Sequence, residues 1–261
     1  MLNKEGQLTI FIIIGILLIA GILIFFLFRM GIITETLIGG EEINPNAFLS
    51  SCLEPKVKES VKIISSQGGF ISNPLNRTFR FNDETTFTDI SYLCYNQNYY
   101  LPCINQQPIL IKHIEKEIKN HISEGARECF DDLSLNLQNQ NYEVDATYMD
   151  FEIELKSKKI NVDIDSRLAL TKRGETLRYD GFKIVIPSRI YDSAKIAEEI
   201  INQEAVYCNF QTQGYMMLYP QWSIKRFVTG DSTKIYTVKH IDGADKFKFA
   251  VRGCVMPPGF G

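Results

Sequence analysis

The sequence lacks the short motifs that identify most enzymes and metal-binding proteins. It contains no C-x-x-C pair, no H-E-x-x-H motif, no G-x-S-x-G elbow and no glycine-rich phosphate loop. It also shows no low-complexity segment and no internal repeat. These absences favour a protein without enzymatic activity, and we expect neither a cofactor nor a metal ion.

Positive charge is not in surplus either. The chain has 28 Lys and Arg residues against 31 Asp and Glu residues, which gives a formal net charge of −3. A general nucleic-acid binder carries excess Lys and Arg because it neutralises phosphate groups. We therefore expect no nucleic acid among the partners of this chain.

Charge is absent altogether from one long stretch near the N-terminus. No charged residue lies between Leu8 and Phe28, and Thr9 is the one polar interruption. A helix of this length spans about 31 Å, which is close to the hydrocarbon thickness of a bilayer. The run is longer than a secretory h-region, and no small-residue cleavage site follows it. We therefore predict a retained transmembrane helix at residues 8–29, with the lipid bilayer as its partner.

The flanking charges do not fix the orientation of this anchor, because one basic side chain stands on each side of it, Lys4 and Arg29. The six cysteines downstream of the anchor suit an oxidising compartment. We therefore predict that the N-terminus is cytoplasmic and that the bulk of the chain is outside the cell membrane. An alternative is that Ile32 to Ile38 extends the membrane helix as a short stalk. The predicted segments are 1–7 in the cytoplasm, 30–46 as a juxtamembrane linker and 47–261 as an extracytoplasmic domain.

The cysteines are the candidates for disulfide bonds. Six cysteines allow 15 connectivities, and their neighbourhoods favour one local bridge across a hairpin and two that tie helices to other elements. The alternative is that several of these thiols are buried and reduced. The favoured pairs are Cys94–Cys103, Cys52–Cys129 and Cys208–Cys254.

Apolar residues at spacings of three and four predict three helices in the domain. The first covers 47–66, with Pro55 as its start or as a kink. The second covers 108–124, where Gly125 weakens any continuation. The third covers 188–207.

Alternation of apolar and polar residues predicts strands elsewhere. This alternation predicts an antiparallel meander at 142–187 and further strands at 216–254. Tyr92–Tyr95 and Tyr99–Leu101 are predicted as the two arms of a hairpin. The fold class is therefore α+β, an antiparallel sheet or sheets with about three covering helices, which could divide into sub-lobes at 47–136 and 141–256. The predicted turns of the meander are 157–159, 173–175 and 180–181.

Few residues are candidates for a site. His113 and His121 stand eight apart, which is too far for two metal ligands on one helix. The paired carboxylates read as solvated surface because no calcium-loop pattern surrounds them. These pairs are Asp131 with Asp132, Asp163 with Asp165, and Asp242 with Asp245.

Two further features could act on a surface. Asn76 begins an N-x-T sequon and is a candidate glycosylation site. An aromatic group could form a recognition surface, although cross-strand packing explains such residues more often. Its members are Tyr92, Tyr95, Tyr99, Tyr100, Tyr219 and Trp222.

The residues before the anchor resemble an archaeal class III, type IV pilin-like signal peptide. Gly6 and Gln7 match the residues that flank the cleavage site of that family, and Thr9 matches its hydroxyl residue. The glutamate that the family uses during filament assembly is replaced by Phe11, and Glu5 interrupts the basic approach. The resemblance implies processing between Gly6 and Gln7.

A broader pattern resembles uncharacterised single-pass proteins of small-genome, DPANN-type archaea. The shared order is the anchor, a cysteine-containing helix at Cys52, a Gly68-Gly69 stop, a tyrosine-rich hairpin and a helix that leads to Cys129. This resemblance implies localisation and architecture, and it implies no activity.

The leading hypothesis is a membrane-anchored cell-envelope protein whose outward-facing domain binds an unknown envelope protein or surface polymer. The first alternative is a pilin-like subunit processed after Gly6. The second is an ectoenzyme whose site is assembled from distant residues. The oligomeric state is left open.

Overall fold

The computed structural model describes residues 15–22, 44–82, 84–243 and 245–257. Of the anchor predicted at 8–29, residues 15–22 are described, and they are helical. Among the described residues, no helix is both long enough and apolar enough to cross a membrane. The processing candidates Gly6 and Gln7 lie outside the described residues.

A separate compact unit begins at Pro45, and it contains four helices among its described residues. The first begins ten residues before Pro55 and continues through it, so the predicted start at Pro55 is wrong. The second extends well past Glu124, because the apolar stripe continues through Ala126, Phe130, Leu133 and Leu137. The last three residues of the fourth, 216–218, fall in the stretch 216–254 that was predicted as strand. The helices are α1 (Pro45–Ser66), α2 (Leu110–Asn139), α3 (Ile190–Tyr207) and α4 (Thr212–Leu218).

Three of the strands form the predicted meander, and six more belong to a second sheet. The hairpin arm expected at Tyr99–Leu101 is not a strand, and the chain instead pairs with β2 through β3, which begins three residues after Leu101. The strands are β1 (Asn76–Phe79), β2 (Thr88–Tyr95), β3 (Ile104–Asn105), β4 (Glu143–Lys156), β5 (Lys159–Lys172), β6 (Glu175–Pro187), β7 (Trp222–Val228), β8 (Lys234–His240) and β9 (Lys246–Arg252).

The meander is the three-stranded sheet β4-β5-β6, and both of its pairs are antiparallel. Its turns lie at 157–158 and 173–174. The third predicted turn, at 180–181, is wrong because this dipeptide lies inside β6 at a shift in the register with β5. Gly181 has a φ of +83° there, so the same glycine signal marks a bulge rather than a chain reversal.

The second sheet has the order β1-β2-β9-β8-β7, with β3 on the free side of β2. Its pairs are antiparallel except for β2 with β9, which is parallel. The expectation of purely antiparallel strands is therefore wrong at this one pair. The parallel pair joins the first part of the domain to its last strand.

Helices α1 and α3 cover one face of this sheet, and α2 packs against α1 and β4. The buried side chains Tyr236, Val238, Phe247 and Phe249 point to the covered face. Helix α2 also supplies a hydrogen-bond partner to the edge strand β4 of the meander. The buried carboxylate of Glu115 accepts a hydrogen bond from the backbone N–H of Leu155 at 3.0 Å. The α+β class expected from the sequence is confirmed.

Three disulfides join all six cysteines, in the same three pairs that the sequence favoured. One links α1 to α2, one closes the loop between β2 and β3, and one links the end of α3 to the residues after β9. The Cα–Cα distances are 5.9 Å for Cys52–Cys129, 5.3 Å for Cys94–Cys103 and 5.9 Å for Cys208–Cys254, within the usual range for disulfides.

The second sheet is strongly curled. Strands β1 and β7 lie four steps apart in it, which would separate them by about 19 Å in a flat sheet. The rings of Phe79 on β1 and Phe227 on β7 nevertheless approach to 5.2 Å between centroids. Arg77 of β1 also forms an ion pair at 2.5 Å with Asp231, in the turn after β7. The face away from α1 and α3 is therefore concave.

Candidate functional site

The concave face of the curled sheet carries a cavity of about 480 Å³. This size falls within the range of small-ligand pockets. Side chains at alternate positions of β7, β8 and β9 form its floor, and the loop between β1 and β2 contributes one wall. We call this cavity the trough. It is lined by Phe81, Glu84, Ser223, Lys225, Phe227, Ile235, Thr237, Lys239, Ile241, Lys246 and Lys248.

The charge of the trough is opposite to that of the chain. Four lysines and one glutamate line it, a surplus of three positive charges in a protein whose formal net charge is −3. Strand register explains the clustering, since Lys239 lies directly opposite Lys246 and Thr237 lies between Lys225 and Lys248.

Lys248 has a counter-charge within the trough itself. Lys248 is buried, and its ammonium group donates a hydrogen bond to the carboxylate of Glu84. This ion pair ties the β1–β2 loop to the floor of the trough. Within the part of the chain that the structure describes, Lys225 and Lys239 form no ion pair, although Lys225 is exposed and Lys239 is half-buried.

The other end of the trough is apolar and closed. Phe81 and Phe227 pack with their centroids 5.8 Å apart, and Phe79 contacts both rings. Beneath them lie the fully buried side chains of Ile235 and Ala250. The trough therefore runs from a cationic end to an aromatic end along the direction of the strands.

The Arg77–Asp231 ion pair fastens this closed end. Burial alone would raise the pKa of Asp231, but hydrogen bonds from Thr229 and Arg77 outweigh it and lower the pKa to about 2. The carboxylate is thus ionised at neutral pH, and it holds β1 against the turn between β7 and β8.

The three histidines lie apart from the trough. His113 packs against the ring of Phe70 at 4.3 Å, and burial lowers the pKa of its imidazole. His121 is exposed on α2. His240 is buried against Trp222 with ring centroids 5.0 Å apart, and its Nδ1 lies 3.8 Å from a carboxylate oxygen of Asp242.

Serine hydroxyls line the cavity beside His240. Ser65, Ser188 and Ser193 contribute to its wall. The hydroxyl of Ser188 accepts a hydrogen bond from the backbone N–H of Ile190, at the start of α3. Among the described residues, no hydrogen bond joins a serine hydroxyl to His240, so the pairing that activates a serine nucleophile is not formed here.

The predicted acidic pairs stay on the surface and do not meet each other. Asp131 and Asp132 are exposed on α2, and Asp165 is exposed on β5. Asp163 lies 3.9 Å from the ammonium group of Lys183. Asp242 and Asp245 are exposed in the turn after β8. Within the described residues, no group of three His, Cys, Asp or Glu side chains is arranged to hold a metal ion.

The predicted aromatic group separates into two parts. Tyr92 and Tyr95 pack with centroids 5.1 Å apart, and the guanidinium of Arg252 lies within 6 Å of the rings of Tyr95 and Tyr99. Tyr219 instead packs against Tyr215, and Trp222 packs against His240. Among the described residues, no ring contact joins the two parts.

The candidate glycosylation residue, Asn76, is the first residue of β1. Its side-chain amide donates a hydrogen bond to the backbone carbonyl of Asn73, and the side chain is half-buried. Thr78, the third residue of the sequon, donates its hydroxyl to Asp89 at 2.6 Å.

Sequence reasoning missed the trough, although part of its signal was present. Lys246 and Lys248 alternate with Phe247 and Phe249, and this alternation predicts a strand with one solvent-exposed face. That alternation does not reveal that Lys225 and Lys239, more distant in sequence, lie on the same face. The pairing of β7, β8 and β9 and the curl of the sheet bring lysines from three strands into one cationic cavity.

No protein-family model matches this chain. Comparison with curated proteins found no match, and comparison with solved structures found none either.

Proposed function

We propose that this chain is a membrane-anchored cell-envelope protein with an outward-facing, non-enzymatic binding domain. The observation that carries the proposal is the set of three disulfides that engages every cysteine. Such bonds persist in oxidising compartments and are rare where thiols are kept reduced. The uncharged run from Leu8 to Phe28 supplies the anchor in this proposal.

The binding role rests on the trough. A concave site that combines apolar side chains with a few charged groups is the usual form of a ligand site. Two of its lysines, Lys225 and Lys239, form no ion pair with any residue that the structure describes, whereas Glu84 supplies a counter-charge to Lys248. A ligand that supplies negative charge would complete the site, so binding explains an arrangement that folding alone does not require.

Exposure of the domain on intact cells tests this proposal. An antibody raised against the domain should bind intact cells, and a broad-specificity protease added outside should remove that signal. A cytoplasmic protein in the same cells should stay intact, which shows that the membrane is sealed. Loss of the domain only after lysis would contradict the proposal.

A pilin-like subunit is the second candidate, and Gly6, Gln7 and Thr9 are the observation that favours it. Processing after Gly6 would expose Gln7 as the new N-terminus. The mass of the chain isolated from its own membranes distinguishes the candidates. A mature chain that begins at Gln7 supports processing, whereas an intact Met1 contradicts it.

A further inference from the structure

The register of β7, β8 and β9 arranges the trough in three cross-strand rows. The first row is Ser223, Lys239 and Lys246, the second is Lys225, Thr237 and Lys248, and the third is Phe227, Ile235 and Ala250. Side chains directly opposite each other in such rows have Cβ atoms about 5 Å apart. Charge is therefore concentrated in two adjacent rows, and the third row is wholly apolar.

The cationic rows suit a compact anion with more than one negative charge. Lys225 and Lys248 lie opposite Thr237 on the neighbouring strands, and Lys239 lies two residues along from it. Lys225 and Lys239 form no ion pair with a described residue, and Glu84 pairs with Lys248. A phosphate monoester carries about two negative charges at neutral pH and offers three acceptor oxygens. Lysine binds phosphate as a point charge, and the hydroxyl groups of Ser223 and Thr237 stand in the same two rows as further donors.

The apolar row suits an uncharged hydrocarbon group that is covalently attached to that anion. Ile235 is fully buried at its base, and Phe227, 43% exposed, offers part of its ring to the trough. Phe81 forms the adjoining wall, and the ammonium group of Lys248 lies 5.3 Å from the centroid of its ring, where the cationic and apolar parts of the trough meet. Burying a hydrocarbon there removes apolar surface from water, which favours binding.

We infer that the trough binds an amphiphilic phosphate, with the phosphate head among the lysines and the apolar body toward Phe81 and Phe227. A bilayer lipid and a free alkyl phosphate share this chemistry. The inference rests on the proposed function only in taking the trough as the binding surface. It does not depend on which side of the membrane the domain occupies.

Binding of dodecyl phosphate to the full chain tests this inference. The chain is held in micelles of the uncharged detergent dodecyl maltoside, and native mass spectrometry counts the bound probe. We expect retention of one probe molecule, which inorganic phosphate at the same concentration does not displace. Displacement by inorganic phosphate would overturn the role of the apolar end, and absence of retained probe would overturn the inference as a whole.

A matched pair of charge variants assigns the binding to the trough. Lys225→Gln/Lys239→Gln removes two charges from it, and we expect affinity for the probe to fall about tenfold or more. Lys62→Gln/Lys183→Gln removes two exposed charges elsewhere and should leave affinity unchanged. Fluorescence of the buried Trp222 verifies that each variant is folded. Equal binding by both variants would overturn the inference.

Lysine footprinting distinguishes the two sources of ligand. The full chain is placed in phosphatidylcholine nanodiscs and acetylated with a water-soluble reagent, with Lys183 as the exposed reference. Protection of Lys225 and Lys239 by phosphatidic acid within the disc would assign a bilayer lipid. Protection by hexyl phosphate added in water would assign a free amphiphile. Protection by neither would overturn the inference, while the result of the intact-cell experiment would stand independently.

Discussion

At the scale of single residues, the carboxylate of Glu204 on α3 is fully buried and therefore requires hydrogen-bond and charge partners. Lys234 lies 2.6 Å from it, and the hydroxyl of Tyr236 donates a hydrogen bond to its second oxygen. Lys234 also donates to the backbone carbonyl of Cys208. This group joins the end of α3 to β8, beside the disulfide of Cys208.

Removing the lysine of this group should be costly. The variant Lys234→Met leaves Glu204 buried without its counter-charge, which typically destabilises a protein by about 3–5 kcal/mol. Lys239→Met on the same strand removes a lysine that pairs with no described carboxylate, and we expect a change within about 0.5 kcal/mol. Urea unfolding followed by Trp222 fluorescence measures both. Equal stabilities would show that the buried pair is not formed.

The ion pair of Arg77 and Asp231 makes stability depend on acid. Because folding lowers the pKa of Asp231 from about 3.9 to about 2, its contribution is present above pH 4 and is lost as the pH falls toward 2. The variant Asp231→Asn should therefore be less stable than the wild type at pH 6, with the difference shrinking near pH 2.

Urea unfolding at the two pH values gives that difference directly. Asp132→Asn, at an exposed position on α2, is the control and should not differ from the wild type at either pH. A constant difference for Asp231→Asn across this range would contradict the role assigned to the ion pair.

At the scale of elements, Gly181 shows how one signal can support two structures. An Asp-Gly pair is typical of a hairpin turn, yet here it continues β6 through a bulge. A Cβ at this position would lie 2.9 Å from the carbonyl oxygen of Ile164, and φ is +83°. Gly174 has a similar φ of +87° but open space around it.

This comparison predicts two different costs for alanine. Gly174→Ala places a side chain on a left-handed backbone and should lower the free energy of unfolding by about 1–2 kcal/mol. Gly181→Ala adds a collision with backbone and should cost at least about 1 kcal/mol more. Thermal or urea unfolding of the two variants measures the gap. Equal destabilisation would show that the bulge relaxes around a side chain.

The sequence predicted element types better than element lengths. The apolar stripes of α1 and α3 and the alternation along β4 and β5 are local patterns, so they could be recognised without a fold. Helix α2 continues past Gly125 because its later turns pack against the rest of the domain, which overrides the intrinsic weakness of glycine. Helix α4 has no fully buried side chain, so it leaves no apolar stripe to detect.

At the scale of the whole molecule, the disulfides connect parts of the domain that are distant in sequence. Two of the three disulfides differ most in the length of the loop that they close. The cysteines are 77 residues apart in Cys52–Cys129 and 9 residues apart in Cys94–Cys103. In the chain-entropy model these loops are worth about 4.5 and about 2.6 kcal/mol. The double variant Cys52→Ala/Cys129→Ala should therefore be the less stable one, by about 2 kcal/mol. Urea unfolding of the two double variants checks the order, and the reverse order would contradict the entropic account.

The trough could not be predicted because it belongs to this largest scale. Its lysines come from three strands, and its closed end requires the two edges of the sheet to meet. The lysines meet through the pairing of β7, β8 and β9. The closed end also depends on the parallel pairing of β2 with β9, for which the sequence carries no local pattern. The cysteine pairs could be predicted because each could be related to a predicted helix or hairpin. Nothing in the sequence around Lys225 and Lys239 distinguishes them from ordinary solvent-facing residues.

The central claim, an oxidised domain outside the membrane, is tested most directly by cysteine labelling of intact cells. Cys208 and Cys254 form the most accessible bridge, since both are half-buried. Cells are treated with a membrane-impermeant maleimide, with or without prior exposure to a membrane-impermeant phosphine reductant. The account predicts labelling of the chain on intact cells only after reduction. Labelling that appears only after lysis, or that needs no reductant, would contradict it.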